Sequence, residues 1–320
     1  MSKRVLALVS VLVGVILACT TVGAGTASAA SGDWTAQAPV GGGSNAGPTM
    51  ASFNNRLYVA WKGAGDDPRM FYASSWDGVH WTDQVGVGGG TSTSPTLAAF
   101  NGRLYLAWKG AGNDQRMFYA SSPDGVNWTD QTGVGGGSNS APVLATYNGR
   151  LVLAWKGAGD DPRLFFSVSW DGRSWSEQRE VDGGGATSTG PALAEFAGKL
   201  YLAWKGANDE HVYYATTGDG YSWTQRGWVQ GVGGTSQSPT LATFNNAIFI
   251  AWKGAGEDPR MFYTASNNGQ SFGDQRQLGG GTSNGPALAA FGNCGCLFLA
   301  WKGTGMDQRM FYSYSPDAQA

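Results

Sequence analysis

The side chains able to do chemistry in this 320-residue sequence are few in kind and recur on a schedule. A lysine comes right after tryptophan six times, as Lys62, Lys109, Lys156, Lys205, Lys253 and Lys302. An aspartate follows each one: Asp67, Asp114, Asp161, Asp209, Asp258 and Asp307. A second basic side chain comes next, Arg69, Arg116, Arg163, His211, Arg260 or Arg309. In glycine-rich loops such groups have two uses. They can pair with one another as solvated ion pairs that pin each loop. Alternatively, charged and amide groups beside an aromatic ring can form a shallow site, with the ring stacked on the C–H face of a sugar. Six weak copies would then gain avidity on a surface bearing many sugars.

Catalysis asks for a different pattern. Acid–base chemistry needs unlike groups converging on one place with their pKa values pushed apart, whereas this chain offers one group six times. Glu177 and Glu180 fall in an outer-strand region. Glu195 stands alone where the other repeats carry Ala, Ser or Thr, so it is the one inner-strand carboxylate able to face a channel. His80 and His211 occupy different places in the repeat and make no metal set. No catalytic residue, metal ligand or cofactor is expected from these patterns.

The elements that must position these groups follow from the spacing. Leu106-Ala107-Trp108-Lys109-Gly110 recurs with small changes, its tryptophans being Trp61, Trp108, Trp155, Trp204, Trp252 and Trp301. They lie 47, 47, 49, 48 and 49 residues apart, a period that marks a repeat architecture. In the second copy, Pro95–Phe100 is a short extended run, and Asn101-Gly102 is a hairpin turn that favours positive φ. Leu104–Trp108 and Met117–Ala120 are the second and third strands. Val126–Thr129 starts the fourth strand, and Gly135-Gly136-Gly137 leads into the next repeat. Nothing has helical periodicity. A four-stranded sheet that is apolar on both faces must be sandwiched by neighbours, so the sequence predicts an all-β, six-bladed propeller with four antiparallel strands per blade. The first strand opens with proline in all six copies and keeps Ala51, Ala98, Ala145, Ala194, Ala242 and Ala289 at one position, as suits a crowded hub. The last copy stops before its fourth strand. Trp34-Thr35-Ala36-Gln37 and Gly41-Gly42-Gly43 match Trp81–Gln84 and Gly88-Gly89-Gly90, so the N-terminal strand should complete the last blade and close the ring. Blade 4 has a shortened loop, Ala207–His211, and an added Trp228; the last blade replaces the hairpin with Gly292-Asn293-Cys294-Gly295-Cys296. Those two cysteines could form a small local disulfide or remain thiols.

The start of the chain reads as a secretory leader: a short basic segment, an apolar run over 5–18, and Ala27-Ser28-Ala29 for cleavage. The domains are then a leader at 1–29 and one propeller at 30–320, exported. Lipidation at Cys19 is the alternative. The apolar run is short for a membrane span. Without Lys3 and Arg4 the chain has 19 basic and 23 acidic side chains, a balance that gives no electrostatic case for nucleic acid.

The turn Ser75-Trp76-Asp77-Gly78-Val79-His80-Trp81 recurs at Ser122–Trp128 and Ser169–Trp175, and at Thr217–Trp223 with Thr for Ser. It resembles the Asp-box, S-x-D-G-x-x-W, of the sialidase-like (BNR-repeat) β-propellers. The resemblance implies that Asp77, Asp124, Asp171 and Asp219 are structural, that the aromatic packs between sheets, and that ligands bind on the opposite face. Sialidases of this architecture also imply three arginines from different blades, a tyrosine activated by glutamate, and an acid/base aspartate. The Phe/Tyr-Arg-Ile-Pro motif that usually carries the first arginine is absent here. Three functions therefore follow in order: a lectin-like propeller that binds glycans, a sialidase-like glycosidase, and a protein-binding scaffold.

Overall fold

The computed structural model describes residues 34–183 and 185–319. The leader at 1–29 and Cys19 lie outside the described residues. The described chain forms six four-stranded sheets. In blade 1 the strands run Thr49–Phe53, Arg56–Lys62, Arg69–Ser75 and Val85–Gly90 from the hub to the rim, each antiparallel to the next. The ring closes as the spacing predicts. Ala38–Gly43 pairs antiparallel with Arg309–Ser315, with Ala38 opposite Tyr312, and Thr35 N–H donates to Tyr314 O at 2.9 Å.

Strands 1 and 2 meet in the expected tight hairpins; Asn101 and Gly102 take φ of 45° and 67°. The six repeated tryptophans are at most 1% exposed and pack between blades. Trp108 of blade 2, for example, lies among Tyr58, Met70, Tyr72 and Val87 of blade 1. The face of each blade that carries the tryptophan is thus turned to the preceding blade.

The fourth strand differs from its expected position. It is not Val126–Thr129 but the glycine-rich stretch itself, Thr132–Gly137 in blade 2. Trp128 lies in the preceding loop, held where Thr129 N–H donates to Ser121 O at 3.0 Å. Packing supplies the reason. In five of the six blades a glycine of this stretch lies directly over the buried tryptophan of the next blade, and a β-carbon at Gly89 would come within 2.6 Å of Trp108 Cζ2. Only glycine leaves that space, so the strand carries residues that sequence propensity assigns to a linker.

The loops fall on two faces. Hairpins between strands 1 and 2 share one face with the Ser-x-Asp-Gly turns. Loops after strands 2 and 4 share the other, which carries the Lys-Gly and Gly-Gly-Gly-Ser/Thr segments.

Candidate functional site

The Lys-Gly face has three layers: buried lysines, exposed Arg–Asp pairs at the blade boundaries, and the mouth of the axial channel. The lysines are buried, between 4% and 9% exposed. Lys62 Nζ donates to Asn45 Oδ1 at 2.9 Å, Gly63 O at 3.2 Å and Gly65 O at 2.8 Å. Lys109 Nζ reaches Ser92 Oγ at 2.7 Å and Gly112 O at 2.5 Å. Lys205 Nζ uses Ser188 Oγ and the carbonyls of Gly206 and Asp209. Lys156, Lys253 and Lys302 repeat the arrangement. Each ammonium clips the loop after strand 2 to the loop that enters its own blade. Burial pushes the pKa of Lys62, Lys109, Lys156, Lys253 and Lys302 below the ordinary lysine value. The lysines are therefore not members of a solvated Lys–Asp–Arg ion pair. Their Asn and Ser partners gave no sequence signal beyond standing next to the glycine-rich strand.

The Arg–Asp pairs do form, and they stand on the surface. Asp67 accepts from Arg69 N at 3.0 Å, Nε at 2.9 Å and Nη2 at 2.7 Å. Asp114–Arg116, Asp161–Arg163, Asp258–Arg260 and Asp307–Arg309 match it. The guanidinium fork holds the carboxyls of Asp67, Asp114 and Asp307 at about 2. Each arginine also lies over a phenylalanine, Arg69 at 5.3 Å from the Phe71 ring centre, and Phe71 stacks on Trp61. An aromatic column thus rises from the core to the surface at each boundary and is capped by a charged fork. Blade 4 departs from this. His211 packs against Trp228 with ring centres 4.3 Å apart, and Tyr213 Oη donates to Asp209 Oδ2 at 2.9 Å. Trp228 is 36% exposed there, opposite Tyr213 on the edge strand.

The channel mouth on this face is a cavity of about 420 Å³ lined by all six entering loops, from Asn45–Met50 round to Asn284–Leu288. Among the described residues its lining is Asn, Gln, Ser, Thr, Pro, Gly and apolar side chains, with no Asp, Glu, Lys, Arg, His or Tyr. Glu195 is not there. It occupies the position of Ser52, Ala99 and Thr146, which line the opposite mouth, and it is exposed.

On that opposite face the aspartates are spent on their own turns. Asp77 Oδ1 accepts from Val79 N and His80 N at 2.9 and 2.8 Å, and Gly78 N donates to Ser75 Oγ. Asp124, Asp171 and Asp219 do the same. The turn's closing aromatic packs across the boundary, Trp81 edge-on to Tyr312 at 5.5 Å. In the last blade Cys294 and Cys296 are bonded to each other at the hairpin.

No family model and no curated protein matches the sequence. Solved structures do match in fold. Trypanosoma rangeli sialidase aligns over 83% of this chain with a TM-score of 0.61 and 14% identity. The same sialidase in complex with sialic acid gives 0.58 over 84%. A xylan β-1,4-xylosidase from Bacillus halodurans gives 0.52 over 76%, at 15% identity. This chain spans about half the length of those proteins, 54%, 53% and 56% respectively. At such identities the likeness is one of architecture.

Proposed function

We propose that this propeller binds carbohydrate without cleaving it, through sites at the blade boundaries of the Lys-Gly face. The observation that carries this is the uncharged channel mouth. Groups from more than two blades converge only near the axis, and a pair of glycosidic carboxyls must stand within roughly 5–10 Å of each other. On the Lys-Gly face that convergence point holds only neutral side chains. The charged groups lie instead at the boundaries, as similar Arg–Asp forks, one in each blade except blade 4. Such a set suits repeated weak recognition of hydroxyl-rich ligands.

The lysines enter this proposal as loop supports, since each is buried and already bonded to the loops it clips. The groups offered to ligand are Arg69, Arg116, Arg163, Arg260 and Arg309 with Asp67, Asp114, Asp161, Asp258 and Asp307. In blade 4 they are His211 and Asp209 beside Trp228. Export, and action as a soluble rather than a lipid-anchored binder, belong to the same proposal.

A glycan array run beside a fluorogenic sialoside and xyloside assay tests it. Saturable binding without turnover is expected. Turnover that disappears in Glu195→Gln would replace this reading with a glycosidase. Silence in both assays would favour a protein-binding scaffold.

A further inference from the structure

The six boundaries are not equivalent, and the difference lies in one residue. Just before the surface arginine or histidine, blades 1, 3 and 5 carry Pro68, Pro162 and Pro259, while blades 2, 4 and 6 carry Gln115, Glu210 and Gln308. The long side chains bridge to the next blade. Gln308 Oε1 accepts from Gly65 N at 3.0 Å, Gln115 Oε1 from Gly159 N at 3.1 Å and Glu210 Oε1 from Gly256 N at 2.8 Å. Three boundaries, 6–1, 2–3 and 4–5, are therefore bridged across their loop amide. Proline cannot reach out in this way. At boundary 3–4 the loop is one residue shorter, and the backbone closes it, with Ala207 N donating to Ala186 O at 3.0 Å.

That leaves boundaries 1–2 and 5–6. There the amides of Gly112 and Gly305 have no partner among the described residues, and both glycines are exposed. The same loops end at Arg116 and Arg309, whose Nε and Nη2 hold aspartate while Nη1 is free among the described residues. Charge differs too. The residue before the paired aspartate is Asp66, Asp160 or Glu257 in blades 1, 3 and 5, but Asn113 in blade 2 and Met306 in blade 6. Counting lysine, arginine and carboxylates, the loops of blades 2 and 6 are each net +1, those of blades 1, 3 and 5 are neutral, and that of blade 4, with Glu210, is negative.

From these two open amides we infer that the chain has two principal sugar sites rather than six, at boundaries 1–2 and 5–6, and that they take a carboxylate-bearing sugar. The inference rests on the carbohydrate-binding reading. The free N–H and Arg Nη1 are both donors, and a carboxylate accepts from both, a charge-assisted pairing that a neutral hydroxyl matches less well. The bridged loops of blades 1, 3 and 5 combine an occupied amide with an extra carboxylate, which repels such a ligand.

The test is a ¹⁵N–¹H titration of the full chain with methyl β-D-glucuronide, and separately with methyl β-D-glucoside. Shifts confined to Gly112, Gly305 and their neighbours, with the glucuronide about fivefold tighter, are expected. The double variant Gln308→Ala with Asp66→Asn should add Gly65 as a third responding amide, with an unchanged far-UV spectrum reporting the fold. Equal shifts at all loops, or equal affinity for both sugars, would overturn the inference while leaving carbohydrate binding intact. No shift with either sugar, alongside an array without binding, would overturn both.

Discussion

Replacing Lys109 by methionine separates a structural ammonium from a ligand-binding one. Methionine keeps the length of the stem and its packing, and removes the charge and the donors. Two acceptors then lose their partner: Gly112 O, at 2.5 Å from Nζ, and Ser92 Oγ, at 2.7 Å. Ser92 Oγ can still donate to Gly110 O and Gly112 O, at 3.4 and 3.3 Å, so part of the loss is recovered. At about 1–3 kcal/mol for each poorly satisfied group, and with that recovery, the expected cost is about 2–4 kcal/mol. About 285 residues are ordered in the ring. An unfolding entropy of about 2.1 cal/mol/K per residue makes the scale about 0.6 kcal/mol per degree, so Tm should fall by about 3–7 °C. Differential scanning calorimetry of wild type and variant at neutral pH reads this directly. Lys62→Met and Lys302→Met should shift Tm by similar amounts, since their ammoniums also end on loop carbonyls. A variant with unchanged Tm that had lost glycan binding would refute the reasoning, because it would show the ammonium serving ligand rather than loop.

Two further outcomes follow from the same geometry. Gly89→Ala should be strongly destabilising, since φ is +85° and the added carbon would meet Trp108 Cζ2 at 2.6 Å, whereas Gly86→Ala, exposed and with nothing within 4 Å, should leave Tm within about 1 °C. Acid unfolding should set in below about pH 4 and develop down to about pH 2. The carboxyls of Asp67, Asp114 and Asp307 are lowered to about 2 by their arginine partners, against about 3.9 in an unfolded chain. A group depressed in the folded state stabilises above its unfolded pKa and loses that contribution as pH falls through the folded one. The onset should move to higher pH in Arg116→Gln with Arg309→Gln, measured by circular dichroism against pH. An unmoved onset would mean that other carboxyls govern acid stability.

The blade count, the strand directions and the ring closure were legible because they depend on period and on residues with fixed backbone habits. Tryptophan every 47–49 residues, asparagine–glycine hairpins and proline before the inner strand each act within one repeat. The misplaced fourth strand shows where that stops. Gly88-Gly89-Gly90 is a strand only because the neighbouring blade puts Trp108 beneath it, and no property of the glycines themselves says so. The lysines were misjudged for a related reason. Their acceptors are mostly backbone carbonyls of a loop that exists only once the ring is folded, and carbonyls leave no mark on a sequence.

The same reasoning changes what repetition means for function. Six copies of Trp-Lys-Gly suggest six equal sites when each repeat is read alone. Blades, however, meet in pairs, and a boundary is made from the end of one copy and the loop of the next. Pro68 against Gln115 looks like ordinary variation in an exposed loop, yet Gln115 and its counterparts engage an amide one blade away, while proline leaves the facing amide untouched. Three bridges, one backbone closure and two open amides therefore come from a chain whose repeats look alike. Duplication supplies the scaffold six times over, and the residues between repeats decide which boundaries are bridged. Among the described residues the unbridged loop amides are those of Gly112 and Gly305, where the proposed ligand would bind.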